Sequence, residues 1–346
     1  MTNQIIIADT YYSAIGIAAR SRAECLNGTV VYASDFVSPF SLLSQLLTSD
    51  VDNILFGWRQ ALFDLIIVNS QKRMHNLINK SSIGFVIPDF LGLKDEFSEI
   101  EKTLIDFADY YLVTNQDLLR IYSQKYEGSP PVGILHDLPN IELIHEFREI
   151  QEIKNQQRAI WVGNSRWGKR QGYRDHKGFK EVILPLQAIC KAHKNCFEIR
   201  IIDSSEKKLT QFEVLQEMKK SNFVLQASET EGTGLPIIEG LGLGLIPIST
   251  RVGVVPEIFS EKDSHHIVSR HATEIHKALH YFTHENPNIS SLMTQKFEKY
   301  ISKSIVEIIP KIQKSHFRNY RSYGIFSKIK VCIKWSYRKL RSKSYE

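Results

Sequence analysis

Two carboxylates, Glu231 and Glu239, frame a glycine loop with seven residues between them, in the stretch Ser228-Glu-Thr-Glu-Gly-Thr-Gly-Leu-Pro-Ile-Ile-Glu-Gly240. The apolar run from Asn222 to Ala227 reads as a buried strand end, and Pro236 fits the first turn of a helix, where a missing N–H costs nothing. Strand, tight glycine loop and helix start expose backbone N–H groups and the positive end of a helix dipole, which suit a phosphate. Glu231, on the loop, is placed to project toward a ligand. Glu239, expected in the first helical turn, can accept hydrogen bonds from vicinal hydroxyls such as a ribose diol. Taken singly, each has a plainer reading: Glu239 complements the helix dipole, and Glu231 is a solvated loop charge. The following segments fit the same frame. Leu243 to Thr250 reads as a helix end at Gly244 and a new buried strand, and Val252-Gly-Val-Val-Pro-Glu257 reads as a turn opening another helix.

These residues need a scaffold, and the rest of the chain supplies its pattern. Short apolar strands are expected at Ile5–Ala8, Val30–Ala33, Asn53–Phe56, Gly84–Ile87, Tyr111–Thr114 and Pro131–Leu135. Helices are expected between them at Ala14–Leu26, Ser41–Leu47, Glu99–Tyr110 and Gln116–Tyr126, while Leu65–Val68 fits helix or strand. After a polar stretch from Glu142 to Arg158 the rhythm restarts, with strands at Ala159–Val162 and Phe197–Ile202 and helices at Gly178–His193 and Gln211–Lys219. Alternating strands and helices predict an α/β fold of parallel sheets covered on both faces. The expected organisation is a domain over 1–153, a second over 154–310 and a tail over 311–346, with the boundary within about ten residues of Lys154. Ligands of doubly wound sheets bind at the carboxyl ends of the strands.

Glu231-Gly-x-Gly-Leu-Pro-x-x-Glu239-Gly, followed by Gly244-x-x-Pro-Ile and Gly253-Val-Val-Pro-Glu257, resembles the nucleotide-sugar site of retaining GT-B glycosyltransferases, the glycosyl transferases group 1 or family 4 type with its E-x7-E motif. The resemblance is strong over 222–259, moderate over 104–200 and weak over 1–90. It implies two Rossmann-like domains facing a cleft, the first for the acceptor and the second for the nucleotide-diphosphate sugar. Glu231 would then bind hydroxyls of the transferred sugar and Glu239 the ribose, with Gly232, Thr233, Gly234 and Leu235 lining the donor. The family also has a Gly-Arg after the first strand of the second domain and a Lys-Gly before the next helix, two cations for the diphosphate. Lys177-Gly178 matches the second pair. After Gly163, Asn164 stands at the arginine position, so the resemblance passes that role to Arg166, with Lys169 as a second candidate; the plainer reading of this basic loop is a solvated surface. Thr233 stands where the family has an aromatic residue. Pro88-Asp89 replaces a family His-Asp pair, so no donor-contacting histidine is identified. Asp9 and Asp89 are acceptor-side candidates, and Asp89 also reads as a turn or cap carboxylate. His136-Asp137 reads as hinge structure before the interdomain linker.

A hydrophobic fraction of 42% and a charged fraction of 24% belong to a soluble globular protein. Four scattered cysteines with no CxxC point to a reducing compartment, and no metal-ligand spacing appears, so neither a metal nor a cofactor is expected. The start carries no signal-peptide pattern and no apolar run is long enough to span a bilayer. The net charge of +6 conceals an asymmetry: residues 311–346 carry eleven Lys or Arg against one acid, and the remainder is mildly acidic. Apolar residues recur at helical spacing through 323–343 among lysines and arginines, a basic amphipathic pattern that suits an anionic membrane surface. Solvated lysines on a packed helix, or nucleic-acid binding, would explain the same charge, but no RNA- or DNA-binding module accompanies it. The expectation is a hexosyltransferase that needs no metal, peripheral on the inner face of the plasma membrane. It would build capsule or lipopolysaccharide on a glycan or lipid-linked acceptor. The alternative is a non-catalytic GT-B-like protein that binds a nucleotide sugar or a polysaccharide.

Overall fold

The computed structural model describes residues 4–306 apart from 12, 27, 91–94, 150–156, 170–171, 193–196, 261–262, 264 and 286–288. The basic tail, 311–346, and the expected linker around Lys154 lie outside the described residues. Two compact units divide the chain, one within Met1–Asp137 and one formed by Leu138–Ser304.

The first unit runs β1 (Gln4–Ala8), α1 (Ala14–Leu26), β2 (Thr29–Tyr32), α2 (Pro39–Thr48), β3 (Asn53–Phe56), α3 (Arg59–Val68), α4 (Gln71–Lys80), β4 (Ser82–Ile87), α5 (Asp95–Phe107), β5 (Tyr110–Val113), α6 (Gln116–Lys125) and β6 (Gly133–Ile134). Its six strands pair in the order β2-β1-β3-β4-β5-β6, all parallel. β1 is fully buried, with Ile6 beside Val30 on one side and Leu55 on the other. The ambiguous Leu65–Val68 is the end of α3, because Leu62, Phe63, Leu65 and Ile66 form one buried face. Ser38 and Ser41 close a capping box at the start of α2, with Pro39 in its first turn.

A buried polar network ties α3, the end of β4, α5 and α6. Arg59 Nη2 donates to Asp89 Oδ1 at 2.7 Å, and its Nε lies 3.5 Å from Glu101 Oε2. Glu101, 1% exposed, accepts from the Tyr122 hydroxyl at 2.5 Å. Burial opposes the charge on Arg59, but Asp89 and Glu101 outweigh it and hold its pKa above the ordinary value. Burial raises the Glu101 pKa, with Arg59 as the main opposing influence.

The second unit runs α7 (Ile141–Glu149), β7 (Arg158–Gly163), a π-helical turn (Phe179–Ile183) leading into α8 (Leu184–Ala192), β8 (Glu198–Asp203), α9 (Gln211–Lys219), β9 (Phe223–Gln226), α10 (Leu235–Gly242), β10 (Ile246–Ser249), α11 (Val255–Ile258), α12 (Ala272–Glu285) and α13 (Ile289–Val306). The strands pair in the order β10-β9-β7-β8, again parallel. α7 was not expected: it occupies part of the polar stretch from Glu142 to Arg158. Ile144 and Phe147, three apart, are both buried and supply its inward face. α10 is buried from Ile237 to Gly242. Gly240 admits it onto β9, since a Cβ there would lie 2.5 Å from the Val224 side chain.

Candidate functional site

In the second unit the chain leaves β7 for β8 on one side of the sheet and returns to β9 on the other. This is a topological switch point, where ligands of such sheets bind. The segment after β7 ends at Lys177, and the segment after β9 carries Glu231. The structure brings these two together, as Lys177 Nζ forms an ion pair with Glu231 Oε1. Ser228 Oγ donates to the same oxygen at 2.6 Å. Both charged side chains are mostly covered, at 17% and 15% exposure.

Local chemistry explains how Lys177 is held. Gly178 has φ +68°, and a Cβ there would run into the Ala227 carbonyl, so only glycine lets this turn close onto the segment after β9. Asp175 Oδ2 accepts from the backbone N–H groups of Lys180 and Glu181 at 3.0 and 2.8 Å and caps the following helical turns. The Lys177 ammonium sits 5.2 Å from the centre of the Trp167 ring. Trp167 in turn packs on His176 with ring centres 4.4 Å apart, and Tyr173 packs edge-on to the same imidazole at 4.5 Å. Burial, reinforced by the Lys177 charge, pushes the His176 pKa down to about 4, so this ring is neutral at pH 7.

Arg270, which the sequence did not single out, ties the two segments. Its Nε donates to the Ala227 carbonyl at 2.9 Å, its Nη2 donates to the Asp175 carbonyl, and its Nη1 pairs with Glu181 at 2.9 Å. Its partners lie 43 to 95 residues away in sequence, so no local pattern could have announced it.

The glycine loop is anchored from the other side. The Thr250 hydroxyl donates to the Ser228 carbonyl at 2.7 Å, and Val254 N–H donates to the Thr233 carbonyl at 3.1 Å. Thr233 is buried, and Gly234 caps α10 with φ +87°. Leu235 and Pro236 then open the helix, as expected.

Glu239 requires a correction. It lies in the second turn of α10, not the first, and is 6% exposed. Helix-dipole complementation, which fades within the first turn, therefore does not account for it. Its Oε1 accepts from Gln211 Nε2 at 3.0 Å, and burial pushes its pKa up to about 7, with Gln211 opposing.

The remaining candidates are dispersed. Gly163 ends β7, and a Cβ there would lie 2.7 Å from the Trp161 ring. Asn164 builds the turn that follows, its Oδ1 accepting from Arg166 N–H at 2.9 Å. The side chains of Arg166 and Lys169 are exposed, and neither forms an ion pair among the described residues. In the first unit Asp9 follows β1 and accepts from the Ser13 hydroxyl, while Asp89 follows β4 and pairs with Arg59. β3 separates their strands, so the two lie on non-adjacent strand ends of the sheet. No group of His, Cys, Asp and Glu able to hold a metal occurs among the described residues. No helix among them is long and apolar enough to cross a membrane.

Residues 207–303 match the family model described as glycosyl transferases group 1, a span that runs from just before α9 into α13 and holds both glutamates. No curated protein matches the chain in sequence. Among solved structures, trehalose-6-phosphate synthase OtsA superposes with a TM-score of 0.65 at 9% identity, over 92% of this chain and 100% of that one. Anabaena Alr3699/HepE in complex with UDP-glucose gives 0.59 at 13% identity, over 91% and 99%. A mutant of S. aureus TarM in complex with fondaparinux, α-GlcNAc-glycerol and UDP gives 0.58 at 13% identity, over 80% of this chain and 58% of TarM, so the chain spans little more than half of that protein. At these identities the likeness establishes the fold, and the family match extends over a little more than a quarter of the chain. The chain thus has a GT-B fold, and residues 207–303 of its second unit are similar to the glycosyl transferases group 1 family.

Proposed function

We propose that the protein transfers a sugar, with retention of configuration, from a nucleotide-diphosphate donor bound at the β7/β9 switch point to a hydroxyl acceptor. The observation that carries this reading is the convergence there of Lys177 and Glu231, with Glu239 on the helix the loop opens. Lys177 neutralises the diphosphate as the bond from the anomeric carbon to its oxygen breaks. Arg166, on the same segment, swings in as the second cation. Glu231 exchanges its lysine partner for hydroxyls of the transferred sugar, and Glu239 accepts from the ribose. The acceptor oxygen forms the new bond on the face the leaving group vacates, and its proton passes to a donor phosphate oxygen. No metal takes part. The acceptor is held on the first unit, where Asp9 and Asp89 follow β1 and β4. UDP and UDP-glucose in the HepE complexes make uridine nucleotides the first to try.

The acceptor is a lipid-linked glycan of a bacterial surface polysaccharide, and the basic segment 323–343 holds the enzyme on the anionic inner face of the membrane. What supports this is the concentration of charge in 311–346. Replacing the lysines and arginines of 323–343 by glutamine is expected to release the protein from phosphatidylglycerol vesicles. Undiminished binding would remove the membrane from the account.

The donor reading is tested with a panel of nucleotide sugars, following thermal stabilisation and the slow release of free nucleotide. One donor is expected to stabilise the protein and to be hydrolysed, and Glu239→Ala is expected to lose both responses. Stabilisation with no turnover, with or without added acceptors, would identify a binding protein instead. No response to any nucleotide would contradict the site.

A further inference from the structure

Glu239 is a buried carboxylate on an otherwise apolar helix, and the side chain that meets it comes from a different element. Gln211 is the first residue of α9, directly after the capping threonine Thr210. Thr210 and Glu213 satisfy each other in a capping box, with the Thr210 hydroxyl accepting from Glu213 N–H and Glu213 Oε2 accepting from Thr210 N–H. The Gln211 side chain is therefore not needed to cap α9. It reaches across to Glu239, its Nε2 donating to Oε1 at 3.0 Å.

We propose that Gln211 is a positioning residue for nucleotide recognition: by donating to Oε1 it fixes the Glu239 carboxylate in its charged form and turns Oε2 to the ribose hydroxyls. This rests on the donor reading given above. The geometry singles out Gln211 because, among the described residues, no charged group offers Glu239 an alternative. β9 and β10, which flank α10, carry no ionisable side chain. On α7, Arg148 directs its Nε to the Gly242 carbonyl at 2.8 Å and its Nη1 to Glu298 at 2.7 Å. His145 lies beside the same Glu298, and Glu142 and Glu146 are exposed. On α9, Glu213 is spent on Thr210, Glu217 on Arg200 and Lys220, and Lys219 on the Arg148 carbonyl. Among the described residues a neutral amide is thus the group set against the desolvation that pushes this carboxyl up to about 7.

The sign follows. A carboxyl raised above its ordinary 4.5 is protonated in the folded protein over a range where the unfolded chain is ionised, so nucleotide affinity that needs the carboxylate falls as pH drops through about 7. The experiment measures the affinity of the full-length protein for UDP, with GDP and ADP alongside, from pH 5.5 to 9. Wild type, Gln211→Ala and Gln211→Lys are compared, and the titration of the diphosphate itself is common to all three. Gln211→Ala is expected to move the midpoint up by about one pH unit and to weaken binding at pH 7 by about fivefold. Gln211→Lys, which supplies a charged donor, is expected to move it down. A midpoint that stays put in both variants while the wild type binds would overturn the role of Gln211 and leave the donor site standing. Failure of the wild type to bind any of the three nucleotides would overturn the site and the role together.

Discussion

Lys177→Ala lowers the rate of donor cleavage by about 10²–10³, the loss seen when a single preorganised group facing developing charge is removed. The size of this effect follows from how the lysine is held. Gly178 closes the turn behind it, Asp175 caps the helical turns after it, and Trp167 packs beside its ammonium. Arg270 pins its segment to the one that carries Glu231. A charge fixed in this way needs no reorganisation when the leaving diphosphate forms. The two other cations considered, Arg166 and Lys169, are exposed on the same segment and have no comparable support. Lys177→Arg retains charge but not a compact ammonium against Trp167 and Glu231, and is expected to recover only part of the loss. Single-turnover release of nucleotide from the donor measures both variants. An alanine variant within about twofold of wild type would mean that the diphosphate is neutralised elsewhere.

Arg59→Ala destabilises the first unit by about 3–5 kcal/mol, the cost of stripping a buried acid of its cation. Glu101 is the acid that suffers. It is 1% exposed, its Oε2 has no hydrogen-bond partner, and its nearest cation is Arg59 at 3.5 Å. The Tyr122 hydroxyl remains as donor to Oε1 but brings no charge. Because burial already raises the Glu101 pKa, losing Arg59 raises it further, and the variant binds a proton that the unfolded chain releases. Its deficit therefore shrinks as pH falls and grows as pH rises above the ordinary carboxylate range. Glu101→Gln in the same background is expected to restore much of the loss by removing the unpaired charge. Urea unfolding of the single and double variants decides the matter, and a single-variant loss below about 1 kcal/mol would mean that the network contributes nothing to stability.

The local structure of the second unit was legible in the sequence to an unusual depth, because its signals are local. Gly234, Leu235 and Pro236 announce a helix start by backbone demands alone, and β9 and β10 are short apolar runs that only a covered parallel strand accommodates. The same locality misplaced Glu239. The sequence placed it in the first turn, whereas it is buried one turn later, against Gln211. α7 went unread because four charged residues among its nine outweigh the stripe of Ile141, Ile144 and Phe147 in any composition count. Arg270, Gln211 and Arg59 were out of reach for a different reason. Each acts through partners 28 to 95 residues away, a distance that only the folded sheet closes.

Lys177 is proposed to bind the diphosphate of the donor at the β7/β9 switch point. The most direct measurement is calorimetric affinity for a nucleoside monophosphate and the matching diphosphate, in wild type and in Lys177→Ala. The wild type is expected to prefer the diphosphate by about tenfold or more, as for one charge-assisted contact, and the variant to lose this preference while still binding the monophosphate. An equal preference in both proteins would contradict it.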